Sequence, residues 1–392
     1  MTTLTLMSEA KIPLWRNQRV LRIWLQIIVV LLVLAILIVL GNNLVNNFQQ
    51  KNLSLGFDFL SRRASFDIGD KLIDYRRTDP YIKAILVGLL NSLRVMVVGI
   101  VLATFLGIAV GIGRLSNNWL VRQITAVYVE IFRNTPLLLQ LFFWYSVVFL
   151  NLPRIGNSVV LPGSIYLSNR GINIPWPGGT RSTWFALGFL CLSVIIGIII
   201  WRKRIEAIEQ QASSARILQV VLLGIAIAAT CALVWGLDWR QPQLDREASV
   251  ILGGISFSPE LATLLLGLTV YTAAYIAEVV RAGIQSVSQG QWEAAKALGL
   301  KSSLVMQMII FPQALRVMIP PLTSEYLNLA KNSSLAIAIG YSDIYSIANT
   351  IFNNTGRSVE MLLIVIVVYL IINLIISLLM NWFNARVQLP ER

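Results

Sequence analysis

Along the chain, apolar runs long enough to cross a bilayer alternate with polar intervals. A crossing helix needs about 20 mostly apolar residues. Eight runs meet that standard, at approximately Val20 to Leu40, Ala84 to Ile112, Val121 to Leu150, Trp184 to Trp201, Ile217 to Trp235, Leu261 to Val280, Thr323 to Gly340 and Ser358 to Met380. The seventh contains Glu325, Lys331 and the polar step Asn332-Ser333-Ser334. A central Lys costs about 2.5 to 3.5 kcal/mol of insertion free energy and each Leu or Ile returns about 0.5, so the run still qualifies. The first run is too long for a cleaved signal peptide, and Gly41-Asn42-Asn43 is a poor cleavage site, so it is expected to stay as an anchor.

The spacing of the runs divides the chain. Residues 1–83 hold the anchor and a polar extracytoplasmic stretch, Asn42 to Lys83, with Ser61-Arg62-Arg63 and five Asp. Residues 84–150 and 258–392 supply five core spans. Between them, residues 151–257 form an insertion: an outside loop rich in Pro and Gly, Gly171 to Gly179, then two spans that pair as a hairpin. Deleting the insertion leaves the sidedness of the core spans unchanged, and no tandem repeat is visible.

Composition narrows the classes. The chain of 392 residues is 56% hydrophobic and 13% charged, against about 25% charge in a soluble domain. Its mean hydropathy is +0.70. An ordinary soluble enzyme and a disordered chain are both excluded. There is no His, which removes imidazole-based zinc sites, haem with a proximal His and Ser-His-Asp catalysis. No metal site is expected. Cys191 and Cys231 lie within apolar runs as small hydrophobes. The net charge of +13 fits basic residues gathered at membrane edges rather than nucleic-acid binding. With the N-terminus inside, Lys and Arg divide 16 to 13 in favour of the cytoplasmic segments. Arg202-Lys203-Arg204 and the basic residues before the first span favour cytoplasmic N- and C-termini.

The apolar pattern breaks in a long interval, Ala282 to Leu322, that reads as two short helices. The first, Gln289 to Leu298, is rich in helix formers and stops at Gly299, which suits a left-handed helix end. The second starts after Ser302 or Ser303 and runs to Phe311, before Pro312. Pro320-Pro321 is expected to end the loop at the membrane face. Within it stand Glu293-Ala294-Ala295, then Gly299, then Ile309 with Phe311-Pro312. Two small residues in succession permit close approach of a partner, and Gly299 turns the chain so that a short helix can dock as a unit. The tripeptide alone occurs by chance in any Ala-rich helix; the full spacing between two spans is far more specific.

That spacing resembles the EAA loop of ABC-importer permeases, with Phe311 where the family usually has Leu. Tyr271-Thr272-Ala273-Ala274-Tyr275-Ile276-Ala277-Glu278 and the residues through Gly283 resemble the helix before this loop in polar amino-acid permeases. Phe132-Arg133-Asn134-Thr135-Pro136-Leu137-Leu138 is similar to the family's Arg-Gly-Thr-Pro-Leu-Leu, and Lys331-Asn332-Ser333-Ser334-Leu335 to its Lys-Asp-Thr-Ser-Leu, with Asn332 in place of Asp. The leader and inserted hairpin resemble the longer permease of general L-amino-acid importers. The resemblance implies an all-α integral membrane protein, a type I importer core of five helices with an N-terminal helix and an inserted hairpin. It implies a bacterial inner-membrane location, a second homologous permease giving a heterodimer, two ATP-binding subunits and a periplasmic amino-acid-binding protein. The ATPase-coupling residues it implies are Glu293, Ala294, Ala295, Leu298, Gly299 and Pro312.

No P-loop is present; Gly299-Leu300-Lys301-Ser302 lacks the upstream Gly and the adjacent Gly-Lys. ATP and Mg are therefore expected on a partner ATPase, with no cofactor in this chain and no enzymatic role. The competing class is an ion-coupled secondary amino-acid carrier, for which the intramembrane charges Arg94, Glu130, Arg133, Glu278, Glu325 and Lys331 are the argument. Tyr271, Ala274 and Glu278 share a helix face. With Tyr275 they suit packing, or the ammonium group of an amino acid. Glu278 suits either a salt bridge or the substrate path. Asn332, Ser333 and Ser334 offer neutral donors to a carboxylate, and Lys331 offers charge or neutralises a facing acid. Arg133 and Thr135-Pro136 suit the path or a helix break that gates it.

Overall fold

A computed structural model describes residues 18–50, 56–209, 214–245, 248 and 250–388. Among the basic residues that set sidedness, Lys11, Arg16, Lys51, Arg246 and Arg392 lie outside the described residues. The chain forms two units, Met1–Leu60 and Ser61–Arg392. The first holds helix α1 (Gln18–Gln50), whose apolar stretch Leu21–Asn43 is long enough to cross a bilayer.

In the second unit, helices α2 (Tyr81–Arg114), α3 (Trp119–Asn134) and α4 (Leu137–Phe142, extended by a π turn to Phe149) precede the insertion. The insertion carries α5 (Arg181–Glu209) and α6 (Ser214–Cys231). After it come α7 (Pro259–Gln285), α8 (Gln289–Ala297), α9 (Ser302–Val305), α10 (Phe311–Asn332), α11 (Ile344–Thr355) and α12 (Ser358–Val387). Six described helices, α1 included, are long and apolar enough to cross alone, and the pair Met306–Ile339 and Ile344–Thr355, bent by 50°, raises the number to seven if it is one broken span.

Four details differ from the sequence expectation. The run Val121 to Leu150 is two helices, because Thr135 adopts an extended conformation ahead of Pro136. Residues Gly171 to Gly179 are not a bare loop. Strands β1 (Val159–Leu161), β2 (Ile165–Ser168) and β3 (Gly171–Ile174) form an antiparallel sheet, and β4 is Trp176–Pro177. Strands β5 (Trp239–Arg240), β6 (Gln243–Asp245), β7 (Val250–Leu252) and β8 (Ile255–Phe257) follow α6. β8 joins the first sheet beside β3, β4 pairs with β5 and β6 with β7, so this mainly helical fold carries a small β module. The second loop helix does not stop before Pro312. It is helical from Ser302, through a π turn at Met306–Ile310, to Asn332, and Pro320 and Pro321 lie inside it. The run Thr323 to Gly340 ends instead in a 3-10 turn, Ser333–Ile339, closed by Gly340 at φ +78°.

Close packing of α2 on α7 orders the core. Ala103, Gly107 and Gly111 recur every four residues on one face of α2. A Cβ at Gly111 would lie 2.8 Å from the Ala277 carbonyl and from Val280, so the two backbones touch where the side chain is missing. The polar stretch after residue 60 is folded onto the bundle: Ala64, Ile68 and Tyr75 are buried, and the Asp70 carboxylate accepts a hydrogen bond from Ser258, the N-cap of α7.

Candidate functional site

Two regions collect the sequence-predicted residues. The first is the turn after α8. The Gly299 N–H donates to the Lys296 carbonyl at 2.9 Å and the Leu300 N–H to the Ala295 carbonyl at 3.2 Å, with Gly299 at φ +70°. This is the paired closure that a left-handed residue after a helix allows. Ala295 is 1% exposed and belongs, with half-buried Trp292 packed against it, to the buried apolar cluster that includes Val280, Ile310 and Ala314. The two alanines therefore differ in role: Ala294 is exposed and Ala295 anchors α8 to the bundle. Glu293, Lys296 and Gly299 are exposed, and Leu298 is 77% exposed. Pro312 is half-buried at the start of α10, next to Gln313, whose amide donates to Gln291 of α8 at 3.4 Å. The result is a short helix fixed along one side and bare along the other.

The second region surrounds the break between α3 and α4. Pro136 has no N–H for the Phe132 carbonyl, and the Gln140 amide takes its place at 3.0 Å while also reaching the Thr135 hydroxyl at 2.7 Å. The Thr135 hydroxyl donates to the Ile131 carbonyl at 2.9 Å. Arg133, at the end of α3, lies over the Tyr275 ring at 5.1 Å, and the Tyr275 hydroxyl donates to the Arg133 carbonyl at 3.3 Å. Tyr271 donates to Tyr275 at 3.2 Å. Glu325 of α10 lies within electrostatic reach of Arg133 and Tyr271. The structure thus joins Arg133 at the end of α3, Tyr271 and Tyr275 in the middle of α7, and Glu325 in the last third of α10.

Other predicted residues lie elsewhere. Ala274 is wholly buried, whereas Tyr271 and Tyr275 are half-buried. Glu278 is held by Arg114 of α2 and, at 2.8 Å, by Arg281, which gives it a salt-bridge role at the α8 end of the bundle. Ser333 is buried and donates to the Ala330 carbonyl; Ser334 donates to the Lys331 carbonyl, both at 2.8 Å. Both hydroxyls thus bond to carbonyls three residues back in the chain, and Tyr369 of α12 lies within hydrogen-bond reach of both. Lys331 is exposed and Asn332 half-buried. Arg94 stacks over Phe257 at 5.3 Å. Pro320, Pro321, Ser324, Asn328 and Lys331 form one exposed stripe along α10, and Glu130, Arg133 and Asn134 are exposed on α3. Gln140 and Arg114 escaped the sequence reading. A Gln four residues after a mid-span Pro, and an Arg closing a small-residue helix, were the available signals.

Residues 217–389 match the model of the family described as binding-protein-dependent transport system inner membrane component. The chain is 43% identical to the General L-amino acid transport system permease protein AapQ of Rhizobium johnstonii, over 94% of this chain and 93% of that one. It is 45% identical to YhdX of Escherichia coli, whose name places it among amino-acid ABC transporter permeases, over 95% of each chain. It is 39% identical to the Glutamate/glutamine/aspartate/asparagine transport system permease protein BztB of Rhodobacter capsulatus, over 94% of each. Near full-length similarity at this level, together with the loop and the broken helices, makes the chain a member of the binding-protein-dependent inner membrane transport family, among the amino-acid ABC transporter permeases.

Proposed function

We propose that this chain is the translocating permease subunit of an ATP-driven amino-acid importer, with alternating access coupled through its EAA loop to a separate ATPase. The observation that carries the reading is α8: a helix anchored by Ala295 and Trp292 that leaves Glu293, Ala294 and Leu298 bare, on the chain segment between α7 and α10. Those two helices bear Tyr271, Tyr275 and Glu325. A push on α8 is therefore transmitted to the polar cluster through rigid helices. ATP and Mg belong to two ATPase subunits seated below α8, and this chain makes and breaks no covalent bond.

Charged residues inside a membrane avoid lipid. The exposed polar stripe of α10 and the exposed end of α3 accordingly face a second, homologous permease, with the substrate path between the two. There, Glu325 and the tyrosine faces suit an ammonium group, while Arg133 and Lys331 suit a carboxylate. The Arg316 guanidinium donates to the Val387 carbonyl at the end of α12, which puts the C-terminal helix end on the α8 side. With ATP in the cytoplasm, that end is cytoplasmic. Counting the broken pair α3 and α4 as one further crossing beyond those seven gives eight, which puts the N-terminus there too, in a bacterial inner membrane, with an amino-acid-binding protein delivering substrate on the opposite face.

Purification of the intact complex tests the reading. An ATPase should copurify with wild type and be lost when Glu293 and Gly299 are replaced. Uptake that persists after ATP depletion, with an ion gradient intact, identifies a secondary carrier and overturns it.

A further inference from the structure

The β module of the insertion holds a polar cavity of about 480 Å³, framed by Arg154, Gly156, Asn169, Arg170 and Val250, that coupling and translocation leave unused. Its construction is local and firm. Ser168 of β2 faces Gly171 of β3 in register, so Asn169 and Arg170 form a two-residue hairpin turn. The Arg170 N–H donates to the buried Ser168 hydroxyl oxygen at 3.3 Å. Gly171, at φ +113°, passes so close to Phe257 of β8 that a Cβ would collide with its carbonyl. The Asn169 N–H donates to the Pro153 carbonyl at 2.9 Å, tying the hairpin turn to the segment that bears Arg154. Both guanidinium groups are exposed, and neither forms an ion pair with another described residue. Residues 151–180 contain these two Arg and no acidic residue.

Two planar guanidinium groups on adjoining turns suit carboxylates, since each can donate a pair of parallel N–H hydrogen bonds to one. The cavity walls are strand edge, turn and irregular backbone, which do not occur exposed to hydrocarbon, so it opens to water. The family depends on a binding protein, a water-soluble partner that must find the permease by diffusion, and complementary charge speeds that encounter. We propose that the Arg154–Arg170 cavity receives a carboxylate-bearing loop of the amino-acid-binding protein, making the inserted β module its docking arm; this rests on the importer reading above.

The test uses the complete transporter in liposomes with and without phosphatidylglycerol. The probe is the purified amino-acid-binding protein that supports uptake by wild type, titrated through its stimulation of ATP hydrolysis. Arg154→Glu with Arg170→Glu should weaken its apparent affinity at least about tenfold, with hydrolysis in its absence unchanged. Salt should weaken the wild-type interaction and affect the variant little. Arg154→Gln with Arg170→Gln, which keeps size and removes charge, should lie between, and it carries the test if the double Glu variant does not assemble. Unchanged affinity in an assembled variant overturns the proposal. So does a variant that loses only its response to phosphatidylglycerol, which would assign the cavity to a lipid phosphate. If the binding protein fails to stimulate wild type, the importer reading itself fails.

Discussion

The side-chain amide of Asn91, buried in α2, donates to the carbonyl oxygen of Ser342 at 2.8 Å, at the break between α10 and α11. The same amide reaches the Asp70 carbonyl, also at 2.8 Å, and the neighbouring Ser92 hydroxyl oxygen accepts from the Ile344 N–H at 3.0 Å. One polar pair on α2 therefore fastens both the polar stretch after residue 60 and the bend of the broken span. Replacing Asn91 by Leu keeps the volume and orphans two carbonyls, each costing about 1 to 3 kcal/mol. The purified complex should melt at lower temperature, and limited proteolysis should cut within residues 61–80 sooner than in wild type.

Contact between α2 and α7 makes a second prediction. Gly111→Val places a branched side chain where the nearest atoms are the Ala277 carbonyl and Val280, both 2.8 Å from a Cβ. Backbone cannot yield as a flexible side chain does, so α2 must shift, and the Arg114 to Glu278 ion pair at its end shifts with it. Overpacking of this kind costs about 1 to 3 kcal/mol. Gly224→Val, where a Cβ meets nothing within 4 Å, is the control and should leave the melting temperature within error.

Much of this architecture is legible in the chain because the bilayer imposes a length on every crossing, and a run such as Ser358 to Met380 meets it without help from tertiary contacts. The loop motif is legible for a related reason: Glu293, Gly299 and Pro312 act through local spacing. The β module escaped notice because its strands are two to four residues long and its Gly and Pro read as loop. Pro320 and Pro321 misled because a proline in water ends a helix, whereas among packed helices the freed carbonyls find other partners. The meeting of Arg133 with Tyr275, 142 residues apart, depends on how α3 crosses α7, which no local pattern encodes.

Two aspartates of the folded polar stretch give opposite responses to pH. Burial pushes the Asp70 carboxyl above its usual 3.8, against the lowering pull of Ser258 and Arg94. Its protonated form is the one that the fold favours, so its contribution is fully present below 3.8 and is lost as pH rises through the raised value. Asp79 is held below 3.8 by hydrogen bonds from Lys83 and the Arg76 N–H. Its contribution is present above 3.8 and is lost as pH falls through the lowered value. Asp70→Asn should therefore remove a loss of stability on raising pH from 3.8, and Asp79→Asn a loss on lowering it. Melting temperatures of both variants across acidic pH, each against wild type, check the two signs.

Gln140 supports the α3 break by supplying the donor that Pro136 lacks. Gln140→Leu leaves the Phe132 carbonyl without that donor inside the membrane, where such hydrogen bonds are worth roughly 0.6 to 2 kcal/mol. Restoring the helix instead, with Pro136→Ala in the same chain, returns a backbone N–H to that carbonyl. The double variant should recover melting temperature but not uptake, because it straightens the segment that presents Arg133. Recovery of both would show that the break is structural and has no part in transport.

The division of labour within α8 gives a prediction in which stability and coupling separate. Leu298 is 77% exposed, so Leu298→Asp removes almost no packing inside the chain and should leave the melting temperature of the permease unchanged. If α8 is the contact with an ATPase, the same change puts a charge into an apolar contact. ATP hydrolysis and uptake should then become uncoupled, or the ATPase should dissociate. Ala295→Asp should do the reverse, destabilising the permease outright, since it puts a carboxylate at a buried position of an apolar cluster. Gly299→Val lies between: at φ +70° a β-branched residue is strained by about 1 to 2 kcal/mol, enough to loosen the turn without unfolding the bundle. Measured together, as melting temperature, hydrolysis and uptake in one reconstituted complex, the three variants should rank Leu298→Asp mildest for stability and severe for coupling. A Leu298→Asp complex with full coupling would mean that the exposed side of α8 meets no ATPase, and the chain would have to be driven through some other surface.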